Sequence, residues 1–287
     1  MKRKISEIMD YSSELPEDSI ADKLSKTSPP DACRTSLVSR TFSSAAASNL
    51  VWEALLPPDH QQIISELVLS SSSLNILSKK DLYFSLCDKP ILIGNGNRSV
   101  TIHKWSGKKS YMLGARELMV TWGDASQYWK WSSLPGSPVL PKSRFSEVAH
   151  LVDVCWLHVW GTIETKILSP NTRYGAYLIY TIGDQFHGLD KPVKLSVRFL
   201  DEIRCDFINA HLLSTTSMDI DAPGEEEEEE DARFPRDRED MWMEIEMGEF
   251  FNYDHVDRVV EMQLRETEVL NWKSGLVIHG IEVRPKD

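Results

Sequence analysis

The spacing of apolar residues changes once along this chain. Up to about residue 58 it is helical, and from about residue 110 it is two. In "LPEDSIADKLSK", residues 15–26, Leu15, Ile20 and Leu24 make a sparse helical stripe. Pro16 suits a helix start, and Glu17 and Asp18 fall in the first turn, where the helix dipole favours acids. A second helix is expected after Pro29 and Pro30 in "SPPDACRTSLVSRTFSSAAAS", through Ala32, Leu37, Val38, Phe42 and Ala46. The third, "NLVWEALLPP", is closed by Pro57 and Pro58. Three short helices bury little core alone. Their apolar face either waits for a partner helix or caps the rest of the chain.

Residues 57–109 read as a linking region. A serine-rich stretch, "LSSSSLNILS", precedes a helix expected at "KKDLYFSLCD", and "LIGNGNRS" reads as a turn. Its lone Gly-x-Gly lacks the third glycine and acidic residue of a dinucleotide site.

Beyond residue 110, "PVKLSVRFL" sets Val193, Leu195, Val197 and Phe199 against Lys194, Ser196 and Arg198. "RVVEMQL" sets Val260, Met262 and Leu264 against Val259, Glu261 and Gln263. "MWMEIEM" sets Met241, Met243, Ile245 and Met247 against Trp242, Glu244 and Glu246. "DVCWLHVWGTIETKIL", "AYLIYTIG" and "GLVIHGIEV" supply further strands, joined by turns such as "SPNTRYG", "FHGLDKP" and "NWKSG". Many strands with no intervening helix predict an antiparallel β-sandwich. One segment, residues 211–240, is polar, acidic and poor in aromatics, and is expected to be a disordered surface loop.

Charge and cysteine content narrow the function. The net charge is −12, of which Glu225 to Glu230 and Asp231 carry −7, leaving −5 for everything else. The run at 225–231 is therefore a local feature, and no broad basic face exists for nucleic acid. Four dispersed cysteines without metal spacing suit free thiols in a reducing compartment. No stretch offers the roughly 20 apolar residues of a membrane span, and the N-terminus has no apolar core of a secretory signal. A cytoplasmic or nuclear location, without a membrane partner, is expected. The eight histidines show no metal spacing and none adjoins a nucleophile motif. Neither a metal, a cofactor nor catalysis is expected.

"TWGDASQYWKW", residues 121–131, is the densest aromatic stretch. Trp129 and Trp131 alternate with Lys130 and so share one face of a short strand, which either looks inward or forms a recognition surface. Trp122 is equally open to both readings. Trp156, Trp160, Trp242 and Trp272 are expected to be core or sheet-covering residues.

Two families are recognisable in these motifs. Residues 12–56, with Leu15-Pro16-Glu17-Asp18, Ile20, Asp31, Cys33, "LVSRTF" and Trp52, resemble an F-box. The resemblance implies a small all-α domain docking onto the Skp-type adaptor of a cullin–RING ubiquitin ligase. Leu15, Pro16, Ile20, Leu37 and Val38 are the candidate contact residues, with Trp52 either joining them or filling the core. From about Ser110 to Lys286 the chain resembles phloem protein 2, the family of the jasmonate-induced tobacco lectin (Nictaba). The motifs are "ELMVTWGDASQYWKW", "VCWLHVWGTIETKILSPNTRYGAYLIY", "MWMEIEMGEFFN", "VEMQLRE" and "NWKSGLVIHGIEVRPK". An F-box before such a domain is similar to the plant F-box PP2-B group.

This second resemblance implies a jelly-roll-like antiparallel sandwich over residues 110–287 that binds glycans containing N-acetylglucosamine. Trp122, Trp129 and Glu266 correspond to residues implicated in sugar binding in lectin relatives, and Tyr128 is a further candidate. A sugar C–H face on an indole face gains both apolar contact and electrostatics. Where the tobacco lectin carries a further acid, this chain has Val259 within "DRVVE". That loss of an acceptor leaves open a sandwich that reads protein surfaces without sugar. The implied whole is a non-catalytic substrate adaptor of a ubiquitin ligase.

Overall fold

The computed structural model describes residues 16–67, 77–133, 141–214 and 232–286. They form two compact units: residues up to Ile91 together with Thr101–Lys108, and Leu92–Val100 together with Lys109 onward.

Among its described residues the first unit holds six helices: α1 Glu17–Leu24, α2 Pro29–Thr35, α3 Arg40–Ala47, α4 Asn49–Leu55, α5 His60–Ser65 and α6 Lys79–Asp88. Ile20 and Leu24 of α1 are buried, as the stripe predicted. The centre is Trp52, fully buried, with its ring 5.2 Å from both Tyr83 and Phe84. Its indole N–H donates to the Ala46 carbonyl at 2.7 Å, so burial leaves no orphan donor.

The second predicted helix is in fact two. Ser28 caps α2 by accepting from Asp31 N, and Ser39 caps α3 by accepting from Phe42 N. A serine offered at the right place competes with helix continuation. Leu37 and Val38 are thereby left on the connecting turn, 86% and 67% exposed.

Among the described residues there are fourteen strands; the second unit holds them all except Ile91 of the first and Thr101–Ile102 of the second, which fall in the first unit. They are β1 Ile91–Ile93, β2 Arg98–Ile102, β3 Lys109–Gly114, β4 Met119–Val120, β5 Trp129–Ser132, β6 Val148–Leu151, β7 Leu157–Glu164, β8 Thr172–His187, β9 Val193–Phe199, β10 Ile208–Ala210, β11 Arg236–Asp237, β12 Met243–Asn252, β13 Val259–Glu266 and β14 Ser274–Pro285. The larger sheet runs β1-β2-β3-β14-β8-β12-β11, with β6 also on β14 and β5 on β6. The smaller runs β10-β9-β13-β7-β4. Neighbours such as β8 and β14, β12 and β8, and β13 and β7 are antiparallel.

Inward residues follow the predicted period. Leu157, Val159 and Ile163 of β7 and Val260, Met262 and Leu264 of β13 are buried. The sheets meet through Phe199 and Phe250, whose rings lie 5.9 Å apart edge to face. At Gly248 a Cβ would come within 3.0 Å of Val197 on the facing sheet. The antiparallel sandwich is thus as expected.

Two local readings change. Met241 falls outside the alternation, with φ 67° and 69% exposure, while Trp242 turns inward and its ring stacks 4.3 Å from His279. The segment 211–240 was expected to be a disordered loop. Its residues 215–231, including the acidic run, lie outside the described residues. Residues 232–240 are ordered: Arg236 and Asp237 pair with Glu244 and Met243. Arg238 reaches Glu244 at 2.6 Å and Glu282 at 2.9 Å, and Arg284 reaches Glu244 at 2.6 Å. Half-burial would raise the Glu244 pKa, but Arg284 and Arg238 hold it below the ordinary value. Charge pairing, invisible in a polar sequence, fixes this stretch.

Candidate binding site

At one end of the sandwich a chain of tight turns builds the aromatic stretch. Thr121 N donates to the His158 carbonyl, Gly123 N to Val120 O, and Ala125 N to Trp122 O. Trp122 takes a left-handed backbone, φ 59°, which turns its side chain outward, 46% exposed. Its ring lies 5.2 Å from that of the half-buried Tyr128, at 38°. Trp131 anchors the turn beneath: its indole N–H donates to Gly123 O at 2.8 Å, and the Arg116 guanidinium sits 3.9 Å over its ring. Arg116 is in turn held by Glu147 at 2.8 Å. The result is one exposed indole, Trp122, backed by the half-buried Tyr128 ring on a braced turn.

Trp129 is placed elsewhere. It is 2% exposed, on β5 opposite Leu151 of β6, and its indole N–H has no hydrogen-bond partner among the described residues. The strand face shared by Trp129 and Trp131 looks inward, so Trp129 cannot stack on a sugar at the surface.

Glu266 is also occupied. Its carboxylate accepts from Glu268 N at 3.0 Å and Val269 N at 2.8 Å, and it pairs with the Lys273 ammonium. Both side chains are buried, 4% and 1% exposed. Burial would raise the Glu266 pKa, but the Lys273 ammonium and the two N–H groups hold it below the ordinary range. Lys273 donates further to Asn271 O at 2.7 Å, and its backbone bridges Val154. Glu266 therefore shapes the loop end from within; it presents no free acceptor.

Sequence reasoning missed a second group at this end. His187 Nδ1 lies 2.8 Å from Ser274 Oγ, and its Nε2 lies 3.2 Å from Asp153 Oδ1. Asp153 and Ser274 are 34 and 87 positions from His187, so no local motif announces the group. Trp156 and Trp272, expected to be core or sheet-covering residues, are 43% and 53% exposed and so are not core. Among the described residues no three His, Cys, Asp or Glu side chains converge as a metal site.

On the helical unit, Pro16 is exposed at the start of α1, and Leu37 and Val38 are exposed. Ile20 and Trp52 are 4% and 0% exposed and serve the unit's own core, not a partner. Leu15 lies outside the described residues.

Residues 108–285 match the family profile of phloem protein 2. F-box protein At2g02240 of Arabidopsis thaliana is 41% identical over 273 residues, 94% of this chain and 79% of that protein. The chain belongs to the phloem protein 2 family, in the F-box PP2-B group. F-box protein PP2-B10 of Arabidopsis thaliana is 37% identical over 99% of this chain and 97% of its own length. F-box protein VBF of the same plant is 39% identical over 95% and 99%. No helix among the described residues is long and apolar enough to cross a membrane. The Trp122–Tyr128 pair thus belongs to a phloem protein 2 domain, preceded by helices that fit the F-box in the relatives' names.

Proposed function

We propose that this chain is a substrate adaptor of a cullin–RING ubiquitin ligase, acting from the cytoplasm or nucleus. Its N-terminal helices form an F-box over residues 12–56 that docks on the Skp-type subunit. Its jelly-roll-like domain over residues 110–287 selects glycoproteins carrying N-acetylglucosamine. The chain itself performs no chemistry.

One observation carries the docking half. Leu37 and Val38 are consecutive, large, apolar and exposed on a turn held by two capped helices. Such a pair has no reason to face water unless something covers it. Charging both, as Leu37→Asp with Val38→Asp, is expected to weaken co-purification with the Skp-type subunit about a hundredfold. Circular dichroism of the variant should be unchanged, since neither side chain fills the core. Undiminished binding by the charged variant would remove these residues from the interface.

The glycan half rests on the exposed Trp122 ring and the half-buried Tyr128 ring beside it. A sugar-independent protein-reading domain is the second reading. The burial of Trp129 and the internal pairing of Glu266 favour it, because both leave the surface with fewer sugar contacts.

A further inference from the structure

The turn between β2 and β3, residues 103–108, is locked onto the helical unit. His103 N donates to Lys108 O at 2.7 Å, and Gly107 N donates to His103 O at 2.8 Å. The Tyr83 hydroxyl of α6 donates to Lys104 O at 3.1 Å. Gly107, at φ +70°, brings the turn against α4: a Cβ there would stand 3.1 Å from Leu55 O. Within the turn, His103 Nδ1 lies 2.8 Å from Ser106 Oγ. Held in this way, the tip cannot fold its ring away from water. Trp105 stands on it 63% exposed, between the exposed Lys104 and the half-buried Lys108.

The charges around this indole are mostly of one sign. Lys80 of α6 lies 5.7 Å from the centre of the Trp52 ring, and Lys104 lies 5.7 Å from that of Phe84. The two rings are 5.2 Å apart, so both ammonium groups flank one aromatic cluster. Among the described residues none of Lys80, Lys104 and Lys108 pairs with a carboxylate, whereas the neighbouring Lys79 pairs with Glu53. Of the two acids of α6, Asp81 accepts from the Ser78 hydroxyl at 2.7 Å, and Asp88 closes the helix. Three lysines and an exposed ring are left facing solvent together.

We infer that this face of the helical unit binds an acidic segment of a partner protein, one with an apolar side chain among its carboxylates. Trp105 offers that side chain a large, rigid apolar surface, and the lysines meet the carboxylates on either side. Charge complementarity selects the partner. An indole alone would take any apolar contact, but lysines without acids attract an acidic segment and repel a basic one. Nucleic acid fits less well, because three lysines neutralise few phosphates and the chain's net charge of −12 repels a long polyanion. The face lies outside residues 12–56 and depends on neither the adaptor nor the glycan reading.

The test uses the full chain and a short fluorescein-labelled peptide of glutamates around a central leucine pair, read by anisotropy. Its glutamine counterpart and an oligothymidylate of equal length run beside it. The parent should bind the glutamate peptide in the micromolar range, about tenfold or more tighter than the glutamine peptide, and added salt should weaken it. Trp105→Ala, and Lys104→Glu with Lys108→Glu, should each lose about tenfold or more. Melting curves should stay unchanged, since Tyr83 holds the turn through the Lys104 backbone. Co-purification with the Skp-type subunit should also be unaffected. Glutamate and glutamine peptides bound alike, or a charge-reversed variant that binds as the parent does, would overturn the inference. Oligothymidylate bound more tightly than the peptide would reassign the face to phosphate and overturn it too. Variants that lose the Skp-type subunit would place the face in that interface and remove the separate partner.

Discussion

Lys273→Met is expected to cost the sandwich about 3–5 kcal/mol of stability, the range for removing one partner of a buried ion pair. The loss is large because of what remains. Glu266, 4% exposed, would keep its charge in a low-dielectric site with only two N–H donors. Lys273 also ties Asn271 and Cys155 through their carbonyls, so the loop end loosens with it. Urea unfolding followed by tryptophan fluorescence reads this directly. Replacing both partners, as Glu266→Gln with Lys273→Met, should recover much of the loss, since no buried charge is then left unpaired. The pH dependence has a definite sign. The Glu266 pKa is depressed on folding, so its contribution is complete above its unfolded value of about 4.3. It is lost as pH falls through the lower folded value. A lysine variant as stable as the parent would show that the pair is not the keystone of this loop end.

Trp129→Ala is expected to cost about as much, roughly 3–5 kcal/mol, by opening a cavity between β5 and the sheet. Trp129→Phe should recover most of this, because the indole N–H it removes has no hydrogen-bond partner to lose. Trp122→Ala, by contrast, should change stability by no more than about 0.5 kcal/mol, as for other exposed positions. Thermal melting of the three variants separates a packing tryptophan from a presenting one. Equal losses at positions 122 and 129 would contradict the placement of their rings.

Most of the architecture was legible in the chain because periodicity is a local property. The β7 and β13 alternations, the α1 stripe and the α6 helix follow from which residues must leave water. What escaped depended on relations between distant positions. The break between α2 and α3 hangs on Ser39 acting as a cap. The order of residues 232–240 comes from Arg238 meeting Glu244 and Glu282, the latter 44 positions away.

The candidate site was half legible. Family motifs singled out Trp122, Trp129 and Glu266, with Tyr128 a further candidate in the same aromatic stretch, but a motif cannot say which way a side chain points. Alternation correctly put Trp129 and Trp131 on one face and left the direction of that face open. Trp122 escapes alternation altogether, since its left-handed backbone belongs to a turn. Glu266 is singled out as a ligand contact by its match to an acid implicated in lectin relatives, whereas its lysine, seven residues on, becomes a partner only in the folded loop end. The His187 group carried no signal, because Asp153 and Ser274 lie 34 and 87 positions from it.

Whether the sandwich reads sugar through the ring pair of Trp122 and Tyr128 is tested by a glycan array probed with the full chain, stabilised by its Skp-type partner, beside Trp122→Ala. Defined N-acetylglucosamine-containing glycans should be bound by the parent and lost by the variant, with identical melting curves. A folded parent that binds no glycan, or a Trp122→Ala variant that binds the parent's full set, would contradict it.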